Sequence, residues 1–246
     1  MVGKERKKTC LARIHLEPNR RENIGTLREN AQTLTLTAHG EELKKNPDLK
    51  TKVAREAAIL LYFGAEKEYK QAKLKAAKTL RTNFLPTNFE VALALDHIAE
   101  ENEGAERKQR LVQMREEALK IMVPLAEYEP LLIGSVWRGT IRRGSDIDIA
   151  VYHELPEQIP SILVALGCKI SRTEWVTVTN RGKTGTSFHI YTETEGKHRV
   201  EITVRSPEEA SRKRKCDIFG DEIRGLTVNE LTELLKENPL RKFIPA

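Results

Sequence analysis

The fold of this chain is decided by residues 131–151, which read LLIGSVWRGTIRRGSDIDIAV. An apolar run ends abruptly at Gly134-Ser135, and the stretch closes on an alternation of acidic and apolar residues. Strand side chains alternate between faces, so Asp146 and Asp148 point one way and the intervening isoleucines point toward a core. Two neighbouring carboxylates repel each other, and folding alone gives no reason for them. Their placement predicts a divalent cation such as Mg²⁺, which prefers carboxylate oxygens and shares its coordination shell with phosphates.

The glycine-serine pair supplies the features of a phosphate site. Gly134 at a strand-to-helix turn lets the backbone approach a ligand closely. Ser135 offers a hydroxyl and an N–H group, and the start of a following helix would add its dipole. Arg138, Arg142 and Arg143 bring positive charge into the same segment. The segment therefore predicts a site for a phosphorylated ligand beside the two acids.

This stretch resembles the signature of the polymerase-β-type nucleotidyltransferase superfamily. That signature is an apolar residue, Gly-Ser, a spacer, and Asp-x-Asp between apolar residues. The sequence fits it at 133–135 and 146–148, with residues 136–145 as the spacer. Arg138-Gly139-Thr140 and Ser145 also look like the small members of the superfamily. The resemblance is specific over residues 131–152 and vaguer through Val204. It implies an α+β fold, a mixed sheet with flanking helices, here preceded by an N-terminal helical bundle.

The resemblance also implies a reaction. A nucleoside monophosphate would pass from an NTP, with ATP as the expected nucleotide, to an acceptor hydroxyl, and pyrophosphate would be released. Two Mg²⁺ ions, or Mn²⁺, would be held by Asp146, Asp148 and a third acid from a neighbouring strand. The expected nucleotide-binding residues are Gly134, Ser135, Arg138, Arg142, Arg143 and Ser145.

Glu201 is the expected third acid. Residues 198–204 alternate like a strand, with Glu201 and Thr203 on one face and apolar residues on the other. Glu193 and Glu195 compete for the role, but they are expected in a turn. The family more often has Asp at this position, so Glu201 is a mild departure. We interpret His189 and His198 as structural or surface residues, because two histidines without a third ligand are weak evidence for a metal site.

The charge of the chain is uneven. The 246 residues carry a net charge of +6, and residues 1–52 hold 12 Lys and Arg against 7 Asp and Glu. A basic extension indicates a polyanionic partner, and RNA is the expected acceptor or partner. The alternative is a solvated tail. A protein partner is also left open.

Cysteine and hydropathy patterns exclude several classes. Cys10, Cys168 and Cys216 are scattered, so neither a disulfide framework nor a zinc site is indicated. No apolar run approaches the roughly 18 residues of a membrane span. The basic start of the chain is not followed by an apolar signal region. We therefore expect a cytoplasmic protein without a membrane partner.

Helical patterns precede the signature. Apolar residues from Val53 to Leu80 recur at spacings of three and four, and Thr87 to Glu90 reads as a capping box. We expect these helices to form one wall of the substrate cleft. The predicted domains are a basic, partly ordered extension (1–52), a helical bundle (53–130), a nucleotidyltransferase domain (131–206), and a C-terminal loop and helix (207–246).

A second class of function remains. The chain could be a non-catalytic RNA- or protein-binding module, antitoxin-like or regulatory, that retains the nucleotidyltransferase fold. Such a module would be expected to lose one acid or the Gly-Ser pair. All of them are present here, which favours an enzyme.

Overall fold

A computed structural model describes residues 47–180 and 183–245 of the chain. The basic extension therefore lies outside the described residues up to position 46. The helices are α1 (Pro47–Tyr62), α2 (Tyr69–Thr79), α3 (Asn88–Met122), α4 (Gly134–Arg138), α5 (Ile159–Ala165) and α6 (Val228–Glu237). The strands are β1 (Leu131–Ile133), β2 (Ile147–Tyr152), β3 (Lys169–Asn180), β4 (Lys183–Glu193) and β5 (Arg199–Arg205). Within this part of the chain, no helix is both long and apolar enough to cross a bilayer.

The first helical stripe is broken into two helices. The helical periodicity from Val53 to Leu80 is divided between α1 and α2. The chain turns after Tyr62, where Gly64 adopts φ +71°, a conformation that glycine takes readily. The capping box at the start of α3 is confirmed, because Thr87 Oγ1 accepts the Glu90 N–H at 3.2 Å and the Glu90 carboxylate accepts the Thr87 N–H at 2.7 Å.

The long helix α3 belongs to two hydrophobic clusters. Its backbone leaves helical geometry at Gly104 (φ 51°, ψ −128°), and the helix then continues. Residues before this point, such as Ile98, pack with α1 and α2. Residues after it, such as Met114, pack with the sheet. The predicted domain boundary at residue 130 stays a prediction, whereas the two clusters divide at Gly104.

The five strands form one mixed sheet in the order β1-β2-β5-β4-β3. Strands β2 and β5 are parallel, and the other three pairs are antiparallel. Val200, Ile202 and Val204 face the core and are buried. The α+β fold with a mixed sheet and flanking helices is thereby confirmed, and β3 and β4 form an antiparallel pair.

Arg115 fastens the turn after β1 to helix α3. Its side chain is fully buried and donates to four main-chain carbonyls, those of Val136 (3.1 Å), Trp137 (2.9 Å), Pro239 (2.6 Å) and Arg241 (3.0 Å). Burial lowers the pKa of Arg115 to about 10. These bonds satisfy carbonyls at the end of α4 and hold the segment after α6 against it.

Candidate active site

The parallel ladder brings two of the predicted acids together. Asp148 on β2 is the direct partner of Glu201 on β5, and Ile133 at the end of β1 pairs with Asp148 from the other side. Asp146 precedes Asp148 by two residues and extends the same face. The competing candidates do not share this position: Glu193 lies at the end of β4, where it pairs with Lys197 at 3.5 Å, and Glu195 lies in the turn before β5. Of the three candidates, Glu201 is the one beside Asp148.

Gly134 leaves room for the Asp148 carboxylate. Its φ is +70°, and a Cβ at this position would overlap Asp148 Oδ2. Both observations exclude a side chain here without a shift of the turn or of the acid. The glycine of the signature is therefore required by close approach as well as by conformation.

The Ser135 hydroxyl makes no hydrogen bond within the described residues and is partly accessible. Its main-chain carbonyl instead accepts the Thr140 N–H at 3.0 Å, which shapes the turn. Ser145 differs, because its hydroxyl accepts the Arg142 N–H at 2.9 Å and its own N–H donates to the Arg142 carbonyl at 3.0 Å. Ser135 thus keeps its hydroxyl available, whereas Ser145 closes the loop before β2.

The three predicted arginines have different surroundings. Arg142 is half-buried, and its charge acts on Asp146, where it helps to lower the pKa that burial raises. Arg143 is exposed, and its main-chain N–H donates to Glu103 Oε1 at 2.9 Å. Of these two arginines, Arg142 is the one whose charge acts on an acid of the site.

Arg138 is a correction to the sequence prediction. Its buried guanidinium bonds both oxygens of Asp221 (2.6 and 3.1 Å) and the Phe243 carbonyl (2.9 Å). It also lies 4.4 Å from the ring centre of Trp137 and 4.3 Å from that of Phe219. A guanidinium with these partners is occupied, so Arg138 fixes the C-terminal segment rather than presenting charge to a nucleotide.

Glu201 takes part in a hydrogen-bond network along the acid face. His189 Nδ1 donates to Glu201 Oε1 at 2.5 Å, and the other ring nitrogen lies 2.8 Å from Ser187 Oγ. The Tyr191 hydroxyl lies 3.2 Å from Glu201 Oε1 and 3.1 Å from Glu174 Oε1. His189 is thus placed at the candidate third acid, a contact that our interpretation of it as a structural or surface residue did not include. The sequence signal available for this contact was the spacing of two residues between His189 and Tyr191, which places both side chains on one face of β4.

His198 does not join this network. Its ring Nδ1 lies 2.6 Å from Glu117 Oε2 on α3, and Thr194 Oγ1 donates to the same oxygen at 2.6 Å. The contact fastens the turn before β5 to the helix, so the interpretation of His198 as structural agrees with its surroundings.

The electrostatics of the site centre on Asp148. Protein atoms surround its carboxylate closely although part of the residue is accessible. Burial, followed by the charges of Glu201 and Asp146, raises the pKa of Asp148 to about 8. Burial also raises the pKa of Asp146, against the opposing charge of Arg199. For Glu201, burial raises the pKa, but the bond from His189 and further partners outweigh it, and the net pKa is lowered.

The carboxylates are the kind of ligand that a hard cation prefers, but their side chains are not grouped as a metal site. Within the described ranges, no group of three or more His, Cys, Asp or Glu side chains is arranged to hold a metal ion. Asp146 contacts Arg199 and Glu201 contacts His189, which turns both acids toward other partners. Asp146 Oδ1 is nevertheless enclosed and accepts no well-angled hydrogen bond. Carboxylate oxygens of this kind suit Mg²⁺ or Mn²⁺.

The helical part of the chain reaches the loop that carries Arg142. Burial raises the pKa of Tyr69, at the start of α2, to about 12, and the charge of Arg142 opposes this shift. The charge of Arg142 also lowers the pKa of Asp146, and the Arg143 N–H of the same loop donates to Glu103 on α3. The wall formed by α1 to α3 stays a prediction that this contact favours.

Part of the chain is similar to a known domain family. Residues 115–229 match the model of the nucleotidyltransferase domain family. No curated protein sequence matches the chain. Among solved structures, a cytoplasmic RNA terminal U-transferase is 18% identical, with 44% of this chain and 34% of that chain covered and a TM-score of 0.28. The Cid1 poly(U) polymerase is also 18% identical, with 44% and 35% covered and a TM-score of 0.29. The chain thus matches about a third of the length of these two proteins.

The matched residues include the whole candidate site. They contain the Gly134-Ser135 turn, Asp146, Asp148 and Glu201. Through these residues this part of the chain is similar to the nucleotidyltransferase domain family.

Proposed function

We propose that the protein transfers a nucleoside monophosphate from an NTP, with ATP as the first candidate, to an acceptor hydroxyl and releases pyrophosphate. The observation that carries this proposal is the pairing of Asp148 with Glu201 across the parallel ladder, with Asp146 on the same face. The Gly134-Ser135 turn stands directly beside Asp148, as its close approach to the carboxylate requires. Acids and phosphate-binding turn are thus adjacent.

The acids would hold two divalent cations, Mg²⁺ or Mn²⁺. Such ions, when bound, stabilise charge on the attacking and leaving oxygens of an in-line displacement. Asp146 and Asp148 would contribute ligands to both positions, and Glu201 would contribute to the one nearer the acceptor hydroxyl. The surroundings support this assignment, because Asp148 is closely enclosed beside two other carboxylates and its repulsion calls for positive charge.

The remaining residues would position the substrate. Ser135 would donate its unused hydroxyl to the β- or γ-phosphate, with the backbone of Gly134 close by. Arg142 would offset the charge of the departing pyrophosphate, since its charge already acts on Asp146. Arg143 lies exposed on the same loop, and Ser145 closes the turn through its bond with the Arg142 N–H. Catalysis would rest mainly on positioning and charge stabilisation.

The reaction is tested by labelled NTPs. Each of the four α-³²P-labelled NTPs would be incubated with the protein and a cell extract, and transfer of label to a macromolecule would be followed together with pyrophosphate. The Asp148→Asn variant should lose the transfer while it folds normally. Nucleotide binding without pyrophosphate release in the wild-type protein would instead support the non-catalytic module.

RNA is the proposed acceptor or partner. The proposal rests on the basic residues of the N-terminal extension and on the run at 212–215, in which Arg212 and Lys213 are exposed. Binding should weaken steeply with salt, because each neutralised phosphate releases counterions. A full-length variant with the basic residues at 4–8 replaced by glutamine should bind RNA more weakly and bind the nucleotide as before. RNA binding that changes neither with salt nor in this variant would point to a protein or small-molecule acceptor.

A further inference from the structure

Arg199 stands on the acid face of the sheet, beside Asp146. Ile147 pairs with Val200 in the parallel ladder, so the residues that precede them, Asp146 and Arg199, are neighbours at its start. Arg199 Nη2 lies 2.6 Å from Asp146 Oδ1 and donates to the Gly144 carbonyl at 2.7 Å. Because side chains alternate along β5, Arg199 shares its face with Glu201. The pair of Asp146 and Arg199 therefore stands directly next to the two remaining acids.

The ion pair between these two side chains is open to exchange. The Arg199 side chain is 44% accessible and that of Asp146 is 35% accessible. Ion pairs between partly exposed side chains contribute little to folding stability, although the Asp146 Oδ1 atom that Arg199 contacts is itself enclosed. The contact is also imperfect, since Asp146 Oδ1 accepts no hydrogen bond of good geometry. Arg199 can therefore leave Asp146 without disturbing the strands.

The chemistry of the site gives Arg199 an alternative partner. A guanidinium and a divalent cation compete for the same carboxylate oxygen, and their like charges repel each other. A triphosphate offers oxygens that match the fork of a guanidinium better than a single carboxylate oxygen does. The nucleotide would reach this position from the Gly134-Ser135 turn, which stands against Asp148 on the same face.

We infer that Arg199 is a nucleotide-binding residue, which pairs with Asp146 in the free protein and transfers to the phosphates of the incoming nucleotide. This inference rests on the proposed function, because it takes Asp146 as a cation ligand and an NTP as the substrate. It assigns two opposite effects to one side chain. Arg199 weakens cation binding in the absence of nucleotide, and it strengthens the binding of the nucleotide.

The test measures both affinities separately in the full-length protein. Binding of MnCl₂ alone is followed by the EPR signal of the free ion, and binding of the Mg²⁺ complexes of α,β-methylene nucleoside triphosphates by calorimetry. Arg199→Gln should bind Mn²⁺ more tightly, about fivefold for the loss of one screened charge. It should bind the nucleotide more weakly, roughly tenfold or more for the loss of one charge-assisted hydrogen bond. Arg199→Lys keeps the charge, so its affinity for Mn²⁺ should stay at the wild-type value.

The matched control is Arg55→Gln on α1. Arg55 is also half-exposed, and it forms an ion pair with Glu101 at 3.3 Å on the helical part of the chain. Both of its affinities should equal those of the wild type. If Arg199→Gln lowers both affinities or changes neither, the inference is overturned while wild-type binding leaves the proposed function standing. A wild-type protein that binds neither probe overturns the proposed function, and the inference with it.

Discussion

Replacement of Asp148 by asparagine should stabilise the protein in the absence of divalent cations. The wild-type carboxyl has a pKa of about 8 in the folded protein against an ordinary value of 3.8. Between these values the folded protein keeps a proton that the unfolded chain has released. The free energy of unfolding therefore falls as the pH rises through this window. Asparagine has a similar shape and cannot ionise, so the variant lacks this loss.

The size of the effect follows from the two pKa values. A tenfold change in proton affinity corresponds to about 1.4 kcal/mol, so the full difference is at most about 6 kcal/mol. Part of Asp148 is accessible, and solvent reduces the effect. We expect the variant to exceed the wild type by about 2–3 kcal/mol near pH 8, and to equal it near pH 4, where both side chains are neutral in the folded protein.

Urea denaturation followed by tryptophan fluorescence measures this difference. Both proteins would be unfolded in chelator across the window, with Glu157→Gln as the control, because Glu157 is an exposed acid away from the sheet. Saturating Mg²⁺ should then stabilise the wild type more than the variant, because ligands that bind the folded state stabilise it. If the free energies of unfolding of wild type and variant change with pH in parallel, the argument that the fold disfavours the ionised form of Asp148 is refuted.

Three further substitutions test the turn and its support. Gly134→Ala should destabilise the protein by at least about 2 kcal/mol, since it combines an unfavourable φ with overlap on Asp148, and a thermal scan with an unchanged midpoint would contradict this. Ser135→Ala should raise KM for the NTP, because a hydrogen bond to a charged group contributes about 1.5–3 kcal/mol; unchanged KM with lower stability would show a structural role. Arg115→Met should lower the free energy of unfolding, measured by urea denaturation, by about 3 kcal/mol or more, because buried carbonyls lose their donor. An unchanged midpoint would show that water replaces the guanidinium.

The period of the strands predicted the face of the acids but not their partners. Alternation at 146–149 and at 198–204 is a local property, and it showed that each segment has a polar and an apolar side. The register that sets Asp148 opposite Glu201 joins residues far apart in the chain. It depends on how β1 and β4 flank the ladder, which local pattern does not contain. The family resemblance supplied the expectation of a third acid, and the alternation of residues 198–204 then selected Glu201.

Arginine roles were the least predictable part of the site. Arg138 lies in the signature, yet its partners Asp221 and Phe243 follow it by 83 and 105 residues, so its burial could not be seen locally. Arg199 was missed for the opposite reason. It precedes Glu201 by two residues, and the same alternation that selected Glu201 places it on the acid face. The spacing of two residues between Arg199 and Glu201 would have identified Arg199 as a residue of the acid face.

The bonds of Arg115 make the segment after α6 sensitive to length rather than to side-chain identity. Arg115 recognises Pro239 and Arg241 through their main-chain oxygens, which every amino acid carries. Replacement of either side chain leaves these acceptors in place. Insertion of one residue between 239 and 241 would shift an acceptor by up to about 3.5 Å, beyond hydrogen-bond reach. We therefore expect homologous chains to vary in residue type along this segment while they keep its spacing.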